Sequence, residues 1–265
     1  MTVGGGFKLV KSRAETAGAT NWKSLEQGAC HLWYWRSRLA NDALPRAMAF
    51  LSPDEIARYN RYLVPDPAAT FLAARILQRS VLSQYTGLHP GQWRFETNQF
   101  GRPHITNPDA PRSLVFNLSH KPGCVACLVG AGRELGVDVE DSAAGRVNFL
   151  EIAERFFSAS EADSLVALPD AQRRQRFYEL WTLKESYIKA RGVGLSLGLS
   201  RFSFSVERDH ATVCFAEDFD DRAETWDFRL FRAGEPHVIA TSVRRTPAPP
   251  VIEMIDAAQL LDSWS

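Results

Sequence analysis

Asp138, Glu140, Glu185 and Lys189 are the residues whose types and spacing point most directly to chemistry. They lie in two short stretches, Gly136-Val137-Asp138-Val139-Glu140 and Trp181-Thr182-Leu183-Lys184-Glu185-Ser186-Tyr187-Ile188-Lys189. The first alternates apolar and acidic residues with the period of a strand, which puts Val137 and Val139 on one face and both carboxylates on the other. The second follows a helical pattern in which residues four apart stack, so Glu185 and Lys189 share a face. Three carboxylates and a lysine that converge describe a hard-cation site handling a phosphate. Oxygen ligands hold Mg²⁺, which keeps waters and takes its remaining ligands from substrate phosphates. Taken singly, the residues read more plainly. Glu185 and Lys189 are an ordinary surface pair worth about 0.2–0.5 kcal/mol, and Asp138 and Glu140 are the solvent face of an edge strand. Their joint occurrence favours the site, because carboxylates on one face repel unless a cation is present.

Secondary structure able to hold these side chains in place is legible around them. Residues 132–141 read as a strand, and residues 172–191 as a long helix ending near Gly192 and Gly194. Ser158 and Glu161 form a capping box, as do Ser52 and Glu55 with proline at the first helical position. Residues 70–85 carry apolar side chains at helical spacing. Residues 31–39, 115–118, 124–129, 202–206, 212–215, 226–231 and 237–242 read as strands, with a loop holding Phe100-Gly101-Arg102-Pro103 between the first and second of them. The expected fold class is α+β, with two similar halves, each packing helices on an antiparallel sheet. The boundaries follow: 1–29 a poorly ordered extension, 30–132 the first half, 133–245 the second half with the metal site, and 246–265 a tail of proline-rich linker plus a short terminal helix.

Composition narrows the class further. At 265 residues with 45% hydrophobic and 23% charged content, the chain can bury a sizeable core. Lys+Arg and Asp+Glu both number 31, a balance that argues against a nucleic-acid binder with a global basic field. No apolar run reaches the about 18 residues of a membrane span, and no compact apolar leader opens the chain, so the expectation is a cytoplasmic protein without membrane attachment. Four cysteines do not make a disulfide scaffold. Cys124 and Cys127 form a C-x-x-C, but in an apolar strand residues three apart face opposite sides, so the pair reads as two small buried residues rather than a metal or redox centre.

The ordered blocks FLSPDE, FLAARILQR, FGRP, FNLSH, GVDVE, RFFS and FYELWTLKESYIKARGVGLSL resemble the Sfp-type 4'-phosphopantetheinyl transferases, from about residue 30 to about residue 245. The pairing of GVDVE with WTLKESYIK at the family's separation carries the likeness. It implies an enzyme that transfers the phosphopantetheine arm of coenzyme A to a serine of an apo acyl or peptidyl carrier protein and releases 3',5'-ADP. It also implies a pseudo-two-fold fold with the site in the cleft between two halves of a monomer. By the resemblance, Asp138, Glu140 and Glu185 are Mg²⁺ ligands, and Glu185 is also a candidate to deprotonate the incoming serine; a metal-bound water or hydroxide is the other candidate. Lys189 matches the lysine that contacts the diphosphate. His120 matches the histidine that contacts the 3'-phosphate of coenzyme A, with Ser119 assisting. Arg102 stands where relatives often have lysine, near the nucleotide, and Arg75 is the candidate phosphate arginine of the first long helix, with Arg79 snorkelling from its surface. Lys121 replaces a common serine, which makes the 3'-phosphate pocket more basic or leaves the lysine in solvent. Arg173, Arg174, Arg176 and Arg191 are candidates to steer an acidic carrier, or simply a solvated helix face. A Mg²⁺-dependent phosphohydrolase and a non-catalytic carrier-binding module are the alternatives from other classes.

Overall fold

The computed structural model describes residues 17–36, 44–145, 148–246 and 249–262. In chain order the first half comprises α1 (Ala17–Glu26), β1 (Ala29–Trp35), α2 (Leu44–Ala49), α3 (Pro53–Tyr59), α4 (Pro65–Ser83), β2 (Phe95–Thr97), β3 (Pro103–Ile105), β4 (Leu114–Lys121) and β5 (Cys124–Ala131). The second comprises β6 (Leu135–Asp141), α5 (Phe149–Phe156), α6 (Ala159–Ala167), α7 (Asp170–Arg191), β7 (Phe202–Glu207), β8 (His210–Phe215), β9 (Trp226–Arg232) and β10 (His237–Arg244), followed by β11 (Val251–Asp256) and α8 (Ala258–Asp262). Two sheets result, ordered β11-β1-β5-β4 and β6-β10-β9-β8-β7, and a small hairpin β2-β3 presents Phe100-Gly101-Arg102 at its turn. The fold is α+β, with α4 packed on β4 and β5 and α7 on β6 and β10. Among the described residues no helix is long and apolar enough to cross a membrane.

Two ends of the chain differ from expectation. Residues 251–256 are not linker: β11 adds to the first sheet in parallel with β1, Ala29 opposite Val251 through Tyr34 opposite Asp256. Its burial runs exposed, buried, two intermediate, buried, exposed, the uneven pattern of an edge strand that periodicity misses. Residues 17–26, expected as loose extension, form α1, whose Leu25 is buried in the first core; residues 1–16 and 37–39 lie outside the described residues.

Three cores hold these layers. One lies between α4 and the first sheet, one between α7 and the second sheet, and a third joins the halves, combining Cys30, Leu32, Cys124 and Leu128 with Val137, Val139, Ile239 and Val243. Cys124 belongs to the shared core and Cys127 to that of the first half, so the C-x-x-C faces two ways, as strand geometry requires. Burial pushes the Cys124 thiol up to about 12, which leaves it an inert small residue.

The capping boxes also serve long-range packing. Glu55 Oε2 accepts from the Ser52 amide at the start of α3 and from Arg79 Nη2 at 2.6 Å. Arg79 is therefore not a snorkelling surface residue but a buried one, whose Nη1 donates to the carbonyls of Pro90 and Trp93. In the second half, Glu161 receives the Phe204 amide and Ser158, and its Oε2 lies 2.8 Å from Lys184 Nζ. The Lys184 ammonium has no exposure and places its other protons on the carbonyls of Leu199 and Phe202. Lys184 thus ties α7 to α6 and to the approach of β7, a structural lysine inside the same motif as Lys189. Lys184→Met keeps the volume but unpairs a buried carboxylate. Glu161 retains its other donors, so a loss of about 2–3 kcal/mol is expected, measurable by chemical denaturation, with little change in turnover per folded molecule.

Candidate active site

β6 and α7 place the chemistry, and their repeats match. Alternate strand residues advance about 6.6 Å and residues one helical stride of four apart advance about 6 Å, so an antiparallel strand and helix stay in step over several residues. Val137 and Val139 point into the shared core without exposure, leaving Gly136, Asp138 and Glu140 on the face toward α7. Opposite them run Trp181, Glu185 and Lys189. Gly136 lies against Ser186 and Ala190, Asp138 meets Lys189, and Glu140 meets Trp181. Gly136 permits the close approach, since a Cβ there would overlap the Ser186 carbonyl oxygen and the Ala190 amide nitrogen.

A third strand completes the seam. β4 is the edge of the first sheet and β6 the edge of the second, and side chains of β4 satisfy the β6 backbone. Asn117 Oδ1 accepts from the Val137 amide at 2.9 Å, and Ser119 Oγ accepts from the Val139 amide at 3.2 Å. Ser119 Oγ in turn donates to Asp138 Oδ1 at 2.9 Å and accepts from Lys189 Nζ at 2.8 Å. Ser119 is buried, and its hydroxyl is shared between Asp138 and Lys189. Asn117 and Trp181 join the site beyond the residues expected from sequence. Their signals are present in the sequence, as the alternate polar positions 117 and 119 of a strand and a tryptophan four before Glu185.

Lys189 reaches across to Asp138 Oδ1 at 2.6 Å instead of pairing with Glu185 along its own helix. Lys121 neither faces solvent alone nor stands free for a phosphate: its Nζ is 2.9 Å from Glu140 Oε2. Asp138 Oδ2 is buried without a hydrogen-bond partner, and Glu185 makes no hydrogen bond or ion pair with a described residue. Burial first, and then the charge of Asp138, raises the Glu185 carboxyl to about 7. The same two causes raise Glu140, against the pull of Lys121 and Trp181. Among the described residues no three His, Cys, Asp or Glu side chains already stand in metal-holding geometry. The donors are nonetheless all carboxylate oxygen and mutually repelling, and Asp138 Oδ2 and the Glu185 carboxyl have no partner among the described residues. That set suits a hard cation once a lysine yields.

The remaining candidates divide. His120 is exposed at the end of β4, yet desolvation of its ring, followed by the positive charges of Arg75, Lys189 and Lys121, pushes it down to about 4. The imidazole is therefore neutral at pH 7, at the edge of a cationic cluster. Arg75 is largely desolvated beside Phe71, its Nε buried without a partner. Arg102 is not extended toward a nucleotide: Nη1 donates to the Lys189 and Ala190 carbonyls at 2.8 and 2.7 Å and Nη2 to Leu135 O at 3.0 Å, closing the C-terminus of α7. It still walls a cavity of about 270 Å³ between the β2-β3 turn, β4 and α7 that opens onto Glu185 and Lys189. The four arginines considered for steering a carrier are engaged within the chain, Arg173 with Leu168 and Asp170, Arg174 with Ser142 and Ala144, Arg176 with Glu179, and Arg191 with Asp221. This favours the structural reading of that helix face.

Comparison with known proteins agrees with the geometry. The model of the 4'-phosphopantetheinyl transferase superfamily matches residues 134–242, and that of the 4'-phosphopantetheinyl transferase N-terminal domain matches residues 35–132. The 4'-phosphopantetheinyl transferase HetI of Nostoc sp. is 37% identical over 166 residues, covering 63% of this chain and 70% of that protein. The 4'-phosphopantetheinyl transferase Sfp of Bacillus subtilis is 36% identical over 176 residues, 66% and 75% of the two chains. A further 4'-phosphopantetheinyl transferase of Bacillus subtilis is 31% identical over 217 residues, 82% and 92%. With both domain models matched in order around the β6–α7 cluster, the chain belongs to the 4'-phosphopantetheinyl transferase superfamily, in its two-domain Sfp type.

Proposed function

We propose that this protein transfers the 4'-phosphopantetheine arm of coenzyme A to a serine of an apo acyl or peptidyl carrier protein and releases 3',5'-ADP. The observation that carries the reading is that Glu185 and Lys189 of α7 line one cavity while Asp138 of β6 pairs with Lys189 and the charges of Asp138 and Glu140 bear on Glu185. In the reaction the serine oxygen bonds to the phosphorus next to pantetheine. The bond from that phosphorus to the oxygen bridging to the adenylate half breaks, and the serine proton passes to a base. Such a transfer asks the protein for positioning and charge neutralisation more than for covalent help.

The chain's own residues meet that demand in part. Lys189, fixed by Ser119 and Asp138, brings an ammonium to the cavity where the diphosphate is proposed to lie. The neutral His120 imidazole, with the positive charges of Arg75, Lys189 and Lys121 bearing on it, marks the end suited to the 3'-phosphate. Asp138 Oδ2, Glu140 and Glu185 are the residues that would hold Mg²⁺, which when bound supplies positive charge to the diphosphate oxygens.

Ligation by Glu185 requires its carboxylate, and a group raised to about 7 is protonated below that pH. At limiting Mg²⁺ the turnover is therefore expected to fall as pH is lowered through 7, with excess Mg²⁺ moving this limb to lower pH and Glu185→Gln abolishing it. The same shift has a stability counterpart. A folded-state value above the ordinary 4.5 contributes stability below about pH 4.5 that is lost as pH rises through about 7. Mg²⁺ should accordingly raise the melting temperature more above pH 7 than below, which a matrix of thermal melts checks.

Intact-mass spectrometry of apo carrier proteins, incubated with this chain, coenzyme A and Mg²⁺ against an EDTA control, tests the function itself. The expected result is a carrier heavier by one phosphopantetheine, lost with EDTA. Unchanged mass on both an acyl and a peptidyl carrier would overturn the proposal.

A further inference from the structure

Both oxygens of Glu140 are engaged by groups of the chain itself: Trp181 Nε1 donates to Oε1 at 3.2 Å, and Lys121 Nζ lies 2.9 Å from Oε2. Asp138 and Glu140 thus each have their own lysine, but the two lysines are held differently. Lys189 is fixed by Asp138 and by Ser119, which is itself pinned to the Val139 amide. Lys121 is the last residue of β4; its side chain is 40% exposed, against 12% for that of Glu140, and Glu140 is its one ion pair among the described residues. Glu140 is the harder charge to leave bare, since it is desolvated and stands near Asp138. An ammonium on a flexible stem at the rim of a carboxylate cluster can neutralise the cluster and withdraw without disturbing the strands.

We propose that Lys121 is a tethered counter-ion of the metal site: it neutralises Glu140 in the cation-free protein and is displaced when a divalent cation takes that carboxylate. This inference rests on the metal reading above. Withdrawn from Glu140, the ammonium remains beside His120, on which Arg75 and Lys189 also bear, and so adds to the positive end of the site when an anion is to be bound there. Two consequences follow from linkage. The cation binds more weakly than to the bare carboxylates, because it must first break a charge-assisted pair. Cation and coenzyme then favour one another, because the lysine that one releases is offered to the other.

The test is calorimetric titration of Mg²⁺ alone into the wild-type protein, Lys121→Ser and Lys121→Arg at one pH and ionic strength, with circular dichroism to establish folding. Lys121→Ser is expected to bind Mg²⁺ about tenfold more tightly. Lys121→Arg, whose guanidinium grips a carboxylate with two bonds, is expected to bind it no more tightly than wild type. Repeating the titrations with saturating coenzyme A should show a smaller gain in Mg²⁺ affinity for Lys121→Ser than for wild type. Equal or weaker Mg²⁺ binding by Lys121→Ser overturns the proposal and makes Lys121 a passive brace. If the serine variant fails to fold, tighter binding by Lys121→Arg overturns it instead. Absence of Mg²⁺ binding in wild type and variants alike refutes the metal reading itself, so the two failures are distinguishable.

Discussion

Asp138→Asn is expected to lower turnover by about 10³-fold while leaving a folded protein. Asp138 is the point on which the site turns: Oδ1 takes Ser119 and Lys189, and Oδ2 is buried without a hydrogen-bond partner among the described residues. The amide retains the size and one acceptor, so the seam between β4 and β6 survives. It removes the charge that holds Lys189, and it allows an amide donor to point where a cation's ligand is required. Loss of one preorganised electrostatic contact costs about 10²–10³ in turnover, and this substitution removes a ligand and a counter-ion together. Lys189 stays partly exposed, with its side chain at 30%, so the stability cost should be no more than about 1–2 kcal/mol. A second readout separates chemistry from general damage. Asp138 is, after burial, the main cause of the raised Glu185 carboxyl, so the acid limb of any residual activity should move to lower pH. Turnover within tenfold of wild type, with an unmoved limb, would remove Asp138 from the mechanism.

Gly136→Ala should have the largest effect on stability of any single methyl group added to the chain near the site. Its Cβ would overlap backbone atoms of Ser186 and Ala190 in α7 rather than a flexible side chain, so nothing can swing aside and the helix itself must move off the strand. Overpacking ordinarily costs about 1–3 kcal/mol; with two rigid backbones opposed, about 4 kcal/mol or more is expected. For a protein of this size that corresponds to a drop of about 10 °C or more in melting temperature. Because α7 carries Glu185 and Lys189 while β6 carries Asp138 and Glu140, turnover per folded molecule should fall as well. A displacement of about 1 Å is worth about 10². A melting temperature within a few degrees of wild type would mean that α7 does not seat on this glycine.

These two residues show where the sequence was legible. Alternation at 136–140 and the stride of four at 181–189 are local properties, and local periodicity decides which side chains share a face. The same holds for the capping boxes at Ser52 and Ser158, whose bonds close within three residues. It also holds for the opposed faces of Cys124 and Cys127. The family likeness extended that reading to a reaction. What periodicity does not carry is the identity of the neighbour across a gap. Lys189 could be placed on the same face as Glu185, but its partner is Asp138, 51 positions away, and Arg102 could be assigned to a phosphate because nothing local says that the α7 carbonyls lie within its reach.

The α+β class, the facing carboxylates of positions 138 and 140, the helical register that brings 185 and 189 to one side, and the membership in a transferase superfamily are all readable from the order of residues. That Lys121 occupies Glu140, that Ser119 and Asn117 bind the β6 backbone, that Arg102 closes α7, and that residues 251–256 form a strand beside β1 emerge only once the chain is packed. The difference lies in the range of the interactions. Faces follow from backbone geometry repeated every two or four residues, whereas ion pairs and edge pairing depend on chain closure over tens to hundreds of residues, which is settled by the packing of the whole core.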